Sequence, residues 1–183
     1  MSNTELPKTV DPYRLAEQRT ELEGVVPLSA LSRFLECTLP VETSNGDAVC
    51  HVKLIFGQDG ERRRLVEGEL EAVVVLECQR CMKPMSATLL SEFRLGFVTS
   101  DKQAQQLPKD LEPYLAEDFT ANLWTLIEDE LLLVVPPFPK HEREECSASA
   151  ALEELESDSS GPITEEPKDN PFSALAGLKT KKH

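Results

Sequence analysis

Residues Arg64–Val98 read R-L-V-E-G-E-L-E-A-V-V-V-L-E, then C-Q-R-C-M-K, then P-M-S-A-T-L-L-S-E-F-R-L-G-F-V. Both long runs alternate with a period of two, the pattern of half-buried strands. In the first, Arg64 to Glu77, one face holds Val66, Gly68, Leu70, Ala72, Val74 and Leu76. The other face holds Glu67, Glu69, Glu71 and Glu77, with Val73 and Val75 interrupting the polar run. In the second, Met85 to Val98, the apolar face is Met85, Ala87, Leu89, Phe93, Leu95 and Phe97. Cys78 and Cys81 fall at the tip of the hairpin these runs predict.

Upstream, the same period places Cys50, Val52, Leu54 and Phe56 on one face of a strand that starts near Asp47, and Gly57-Gln58-Asp59-Gly60 is a turn. The three runs are predicted to form an antiparallel meander with one apolar face. Asn122 to Val135 reads as the main helix. Its stripe of Leu123, Trp124, Ile127, Leu131, Val134 and Val135 suits one side of a sheet, and Pro136, Pro137 and Pro139 end it. Ser100 to Glu117 reads as a polar loop. Near the start, residues 1–10 read as unstructured, and Asp11-Pro12 caps a short helix that runs to Arg19. A strand follows from Thr20 to Val26, then a second short helix capped by Ser29. The expected class is α+β: an antiparallel β-meander packed against one main helix, with short N-terminal helices. A disordered acidic tail ending in a short helix completes it. The expected domains are 1–146 as a single unit, 147–169 as an acidic linker and 170–183 as a docking motif.

The chain has 183 residues, enough for one domain with a core, but 13 prolines and a 40% hydrophobic content imply that part of it does not pack. With 33 acidic against 19 basic residues, the net charge of −14 repels a phosphate backbone, so partners are expected to be proteins, or nucleic acid reached through a local patch. The first residues, M-S-N-T-E-L-P-K, carry no basic-then-apolar signal pattern, and no apolar run approaches the roughly 20 residues of a membrane span. A cytoplasmic protein without membrane contact is expected. Five cysteines in a reducing compartment argue against a disulfide framework.

A C-x-x-C at a hairpin tip serves as a metal knuckle, as a redox pair or simply as two buried thiols. As a structural zinc site, Cys78 and Cys81 need two further ligands. His141 and Cys146, in P-K-H-E-R-E-E-C, supply an imidazole and a thiolate at a suitable spacing. Redox chemistry lacks the helix N-terminus that activates the thiol of thioredoxin-like pairs. Cys37 and Cys50 fall at apolar positions and read as core. Glu128, Asp129 and Glu130 diverge by about 100° per residue on a helix and read as a solvated face rather than a cation site. Arg80 and Lys83 flank the knuckle and offer at most a small RNA contact. Arg62, Arg63 and Arg64 lie at the opposite end of the sheet. Aromatic residues make up 5%, most of them at core positions, so no stacking platform for single-stranded RNA is expected. Asn170, Pro171, Phe172, Leu175, Leu178 and Lys179 outline a short capped amphipathic helix, which docks on its own domain or on a partner.

Four stretches together resemble the YceD family: Thr9–Gln18 (T-V-D-P-Y-R-L-A-E-Q), Leu76–Pro84 (L-E-C-Q-R-C-M-K-P), Leu126–His141 (L-I-E-D-E-L-L-L-V-V-P-P-F-P-K-H) and Asn170–Lys179 (N-P-F-S-A-L-A-G-L-K). The resemblance implies a bacterial factor for synthesis, processing or stability of the large-subunit (23S) ribosomal RNA. It brings no established catalytic residues. Some relatives carry a denser cysteine cluster after the proline-rich break, where this sequence has His141 and Cys146. The expectation is a non-enzymatic ribosome-biogenesis factor. Its partners would be assembly intermediates or ribosomal proteins, with possible direct rRNA contact. The alternatives are a metal-dependent RNA-processing enzyme, and a zinc-stabilised adaptor unrelated to RNA.

Overall fold

The computed structural model describes residues 4–40 and 48–158. The chain divides into two units, 1–142 and 143–183. The first contains β1 (Thr9–Val10), α1 (Pro12–Gln18), β2 (Glu21–Pro27), α2 (Ser32–Leu35), β3 (Val49–Gln58), β4 (Arg64–Glu77), β5 (Pro84–Val98), α3 (Asp101–Ala104), β6 (Glu112–Leu115), β7 (Ala121–Asn122) and α4 (Leu123–Val134). The second contains α5 (Ser149–Asp158).

The central sheet runs β2-β3-β4-β5-β6, antiparallel except for the last pair. The predicted meander is its core. The β4–β5 ladder extends from Leu65↔Gly96 to Glu77↔Pro84, in the register the alternation demands. Cys50, Val52, Leu54, Phe56, Val66, Leu70, Ala72, Val74, Leu76, Leu89, Leu95 and Phe97 are buried together. Gly68 faces Phe93 across the ladder, and a Cβ at this position would overlap the Phe93 ring. The absent side chain is what lets the ring approach the strand this closely.

Helix α1 packs on β3 and β4, and α4 packs on β5. Asp11 caps α1 as expected, accepting from the Tyr13 and Arg14 N–H groups at 3.0 Å each. Asn122 caps α4 in the same way, through the Trp124 and Thr125 N–H groups. The buried stripe of α4 includes Leu123, Ile127 and Leu131 as expected and adds Leu126.

Five expectations are corrected. Residues 4–10 are structured. The Leu6 N–H donates to the Val25 carbonyl and the Val25 N–H to the Thr4 carbonyl, so this arm covers the outer edge of β2. Trp124 Nε1 donates to the Leu6 carbonyl at 3.1 Å, and β1 pairs with β7. Second, the expected loop 100–117 contains α3 and β6, and β6 adds to β5 in parallel. Its four residues are too few for a periodic signal. Third, Ser29 lies within a 3-10 turn, Leu28–Ala30, and α2 begins after Leu31 with no cap from its own segment. Fourth, residues 149–158 of the expected linker form α5, whose Ser149 Oγ donates to the Arg143 carbonyl. Fifth, Glu128 and Glu130 are buried, while Asp129 is half exposed.

Glu128 explains the missing cap. Its Oε1 accepts from the Arg33 N–H at 2.7 Å and the Phe34 N–H at 3.2 Å. Its Oε2 accepts from Arg33 Nε and Nη2 at 3.0 and 2.8 Å, and Arg33 Nη1 reaches Asp129 at 2.7 Å. One carboxylate on α4 thus satisfies two of the orphan donors of α2. Burial alone would raise its pKa. The Arg33 side chain and the Phe34 and Arg33 backbone groups outweigh that, and hold the pKa below the ordinary 4.5. Glu130 has no such donors among the described residues, and burial, then Glu112 and Asp129, push its carboxyl up.

A carboxylate with a depressed folded pKa contributes stability above its unfolded pKa, and that contribution disappears as pH falls through the folded value. Glu128→Gln is therefore expected to cost about 1–2 kcal/mol at neutral pH. The deficit should shrink as pH falls below 4.5. Denaturant titrations of both proteins across this range test it, and a pH-independent difference refutes the capping role.

Candidate metal centre

Strand β4 ends at Glu77 and β5 begins at Pro84, its ladder partner, so residues 78–83 must reverse the chain. The Cys78 N–H donates to the Lys83 carbonyl at 2.9 Å and the Met82 N–H to the Cys78 carbonyl at 2.8 Å. Met82 takes the left-handed conformation, φ 57, that closes the turn. Cys78 is fully buried and Cys81 half buried. Beyond α4, the proline-rich segment lies against this turn. The Gln79 N–H donates to the Pro139 carbonyl at 2.8 Å and Gln79 Nε2 to the Pro137 carbonyl at 3.2 Å. Those contacts bring His141 to the knuckle.

The His141 N–H donates to Cys78 Sγ at 3.4 Å, and Nδ1 lies 3.4 Å from Cys81 Sγ. Nε2 lies 3.2 Å from the Pro84 carbonyl. A carbonyl only accepts, so Nε2 carries a proton there and Nδ1 is turned toward the sulfurs. An imidazole with one nitrogen fixed by a backbone carbonyl and the other presented to thiolates is arranged as metal-binding histidines are. The ligand atoms of Cys78, Cys81 and His141 lie within 4.8 Å of one another. Zinc bonds of about 2.0–2.3 Å would place tetrahedral ligands roughly 3.5–3.8 Å apart, so only a small adjustment separates the cluster from coordination.

The electrostatics favour a thiolate at Cys78. Burial raises the Cys78 thiol, but the backbone N–H groups of His141, Cys81 and Arg80 and the His141 side chain outweigh it and bring it down to about 5. The Cys78 hydrogen bond, opposed by burial and helped by Cys81, raises His141. A thiolate beside an imidazole is the donor chemistry a soft divalent cation requires. The three side chains form a cluster that can hold a metal ion.

Cys146 belongs to the second unit, where its carbonyl accepts from the Ser149 N–H ahead of α5. Arg80 is half buried and Lys83 exposed, both on the knuckle. Asn170, Pro171, Phe172, Leu175, Leu178 and Lys179 lie outside the described residues. Cys50 is buried as expected, and burial drives its thiol up to about 12, but Cys37 is exposed. The residues the sequence reading missed are Gln79, Pro137 and Pro139, which dock the segment that carries His141. The proline run was legible only as a helix terminator.

A meander sheet whose central hairpin ends in a Cys/His cluster defines a small α+β protein built around a metal-competent knuckle. The family model described as "Large ribosomal RNA subunit accumulation protein YceD" matches residues 66–179, and the chain belongs to this family. A protein of that name from Haemophilus influenzae is 35% identical over 184 residues, covering 99% of this chain and all of the relative. No solved structure matches. Among the described residues, no helix is long and apolar enough to cross a membrane.

Cobalt(II) added to metal-free protein is expected to produce the intense thiolate-to-metal absorption of a sulfur-rich site, weakened in Cys78→Ser and Cys81→Ser. Wild-type protein that shows no such band would remove the site.

Proposed function

We propose that this chain is a non-enzymatic, cytoplasmic ribosome-biogenesis factor that supports the synthesis, processing or stability of 23S ribosomal RNA. It would act chiefly through protein partners, assembly intermediates or ribosomal proteins, with a small direct footprint on RNA. The observation that carries this reading is membership of a family described by large ribosomal RNA accumulation, in a chain with net charge −14. The exposed sheet face supports it. Glu23, Lys53, Glu69 and Glu92 stand in register across four strands, and Glu69 faces Glu92 directly. Like charges opposed on a ladder cost stability and suit a basic partner. A metal-dependent nuclease is not supported. Glu128 is occupied by α2, and the carboxylates gather into no metal-binding group among the described residues.

In this reading zinc fills the knuckle, with Cys146 as fourth ligand to Cys78, Cys81 and His141. The H-x4-C spacing and the Cys3His donor set support that choice. The ion is structural and ties the start of the acidic segment to the sheet. The stretch containing Asn170, Pro171, Phe172, Leu175, Leu178 and Lys179 serves as a partner-docking motif, and Arg80 and Lys83 contribute phosphate contacts.

Purified protein is expected to contain zinc, and Cys78→Ser or Cys146→Ser to lower zinc content and reduce Tm by roughly 5–10 °C. A metal-free wild type of equal stability would refute the structural ion. Cells lacking the protein should accumulate less large-subunit rRNA. Truncation before Asn170 should leave the core folded and reduce recovery of ribosomal proteins in pull-downs, and equal recovery would exclude the docking motif. Metal-dependent cleavage of precursor rRNA by the purified protein, abolished by a carboxylate substitution, would overturn the non-enzymatic assignment.

A further inference from the structure

At the end of the sheet remote from the knuckle, Tyr13, Arg62, Arg63, Arg64, Gln106 and Phe119 line a cleft of about 650 Å³. We propose that this cleft binds single-stranded RNA, a base stacking on Phe119 and its phosphate on Arg62. The proposal rests on the ribosomal RNA reading above and gives it a site.

A row of aromatic rings leads from the core to the surface. Phe56 stacks on Phe97 at 6.0 Å, Phe97 lies 6.5 Å from Tyr13, and Tyr13 meets Phe119 edge-to-face at 5.1 Å. The Arg64 guanidinium sits over the Tyr13 ring at 5.4 Å, so that ring is packed by a cation as well as by its aromatic neighbours. Phe119, last in the row, remains 59% exposed. Its loop is strained to present it. Asp118 and Phe119 both take left-handed backbone conformations, φ 50 and 57, which bulky residues rarely adopt. An exposed ring on a rigid base, placed at some conformational cost, is the element a base-stacking platform needs. Sequence reasoning excluded such a platform because most aromatic residues fall at core positions. Phe119 does not, and the fold sets it beside three consecutive arginines 55 or more positions away in the sequence.

The arginines are not equivalent. Arg63 is held by Asp59 at 2.6 Å and Glu61 at 3.2 Å, and Arg64 by Glu17 at 3.1 Å. Arg62 is exposed, at φ 62, and forms no ion pair among the described residues. It is the guanidinium available to a phosphate. One such charge in an acidic protein gives a small footprint. The cleft is of small-ligand size and suits a splayed nucleotide rather than a duplex, whose bases are stacked away from a protein ring.

Fluorescence anisotropy of labelled oligouridylate, oligoadenylate and an RNA duplex with the full-length protein tests the proposal. Both single strands should bind and the duplex should bind more weakly. Phe119→Ala should weaken single-strand binding roughly 5- to 100-fold, and Phe119→Trp should preserve it. Arg62→Ala should reduce the slope of log affinity against log salt by about 0.7. Thermal melts establish that each variant is folded. If Phe119→Ala does not fold, Phe119→Trp and Arg62→Ala decide the matter. The site is overturned if neither single strand binds, if Phe119→Ala (when folded) and Arg62→Ala both leave affinity unchanged, or if a basic peptide or the duplex binds the cleft at least as tightly. In cells lacking the protein, failure of wild type to change large-subunit rRNA levels would strike the ribosomal reading. Full rescue by Phe119→Ala together with Arg62→Ala would strike only this site.

Discussion

The β4–β5 ladder is the constraint on which the rest depends. Its register places Val66, Leu70, Ala72, Val74 and Leu76 of β4 on the buried face and opposes Glu77 to Pro84 at the end. A slip by one residue would turn Val66, Leu70, Val74 and Leu76 to solvent and bury the glutamates, so hydrophobic burial fixes the pairing. The same register fixes where the chain reverses. The two cysteines owe their position to the packing of a sheet face several residues away.

Around this ladder, tertiary structure is closed by polar contacts between distant segments. Glu128 caps the start of α2, Trp124 holds the N-terminal arm through the Leu6 carbonyl, and Gln79 grips the proline-rich segment through the Pro137 and Pro139 carbonyls. Each satisfies backbone groups of a distant segment. Their geometry has functional consequences. The Gln79 contacts deliver His141 to the knuckle, and the Pro84 carbonyl then sets the imidazole so that Nδ1 faces sulfur. A zinc ion would complete an arrangement that backbone hydrogen bonding has already oriented.

Charge is distributed by face. The exposed side of the sheet is rich in glutamate, whereas the three adjacent arginines gather at the end away from the knuckle, next to exposed aromatic surface.

Period-two alternation was enough to predict β3, β4 and β5, and the helical stripe with its proline stop was enough for α4, because burial on one face leaves a local imprint on residue order. The C-x-x-C and the histidine after the proline run were legible as candidate ligands because Cys and His are the residue types a soft cation selects, and Cys78, Cys81 and His141 do gather at the knuckle. The pairing of β6 with β5, the burial of Glu128, the ordering of the arm at residues 4–10 and the exposure of Phe119 left no such imprint. Arg33 and Glu128 are 95 positions apart, Leu6 and Trp124 118 apart. Contacts of that span depend on where the chain returns in space, which no local pattern of side chains records, and only the tertiary structure decided them.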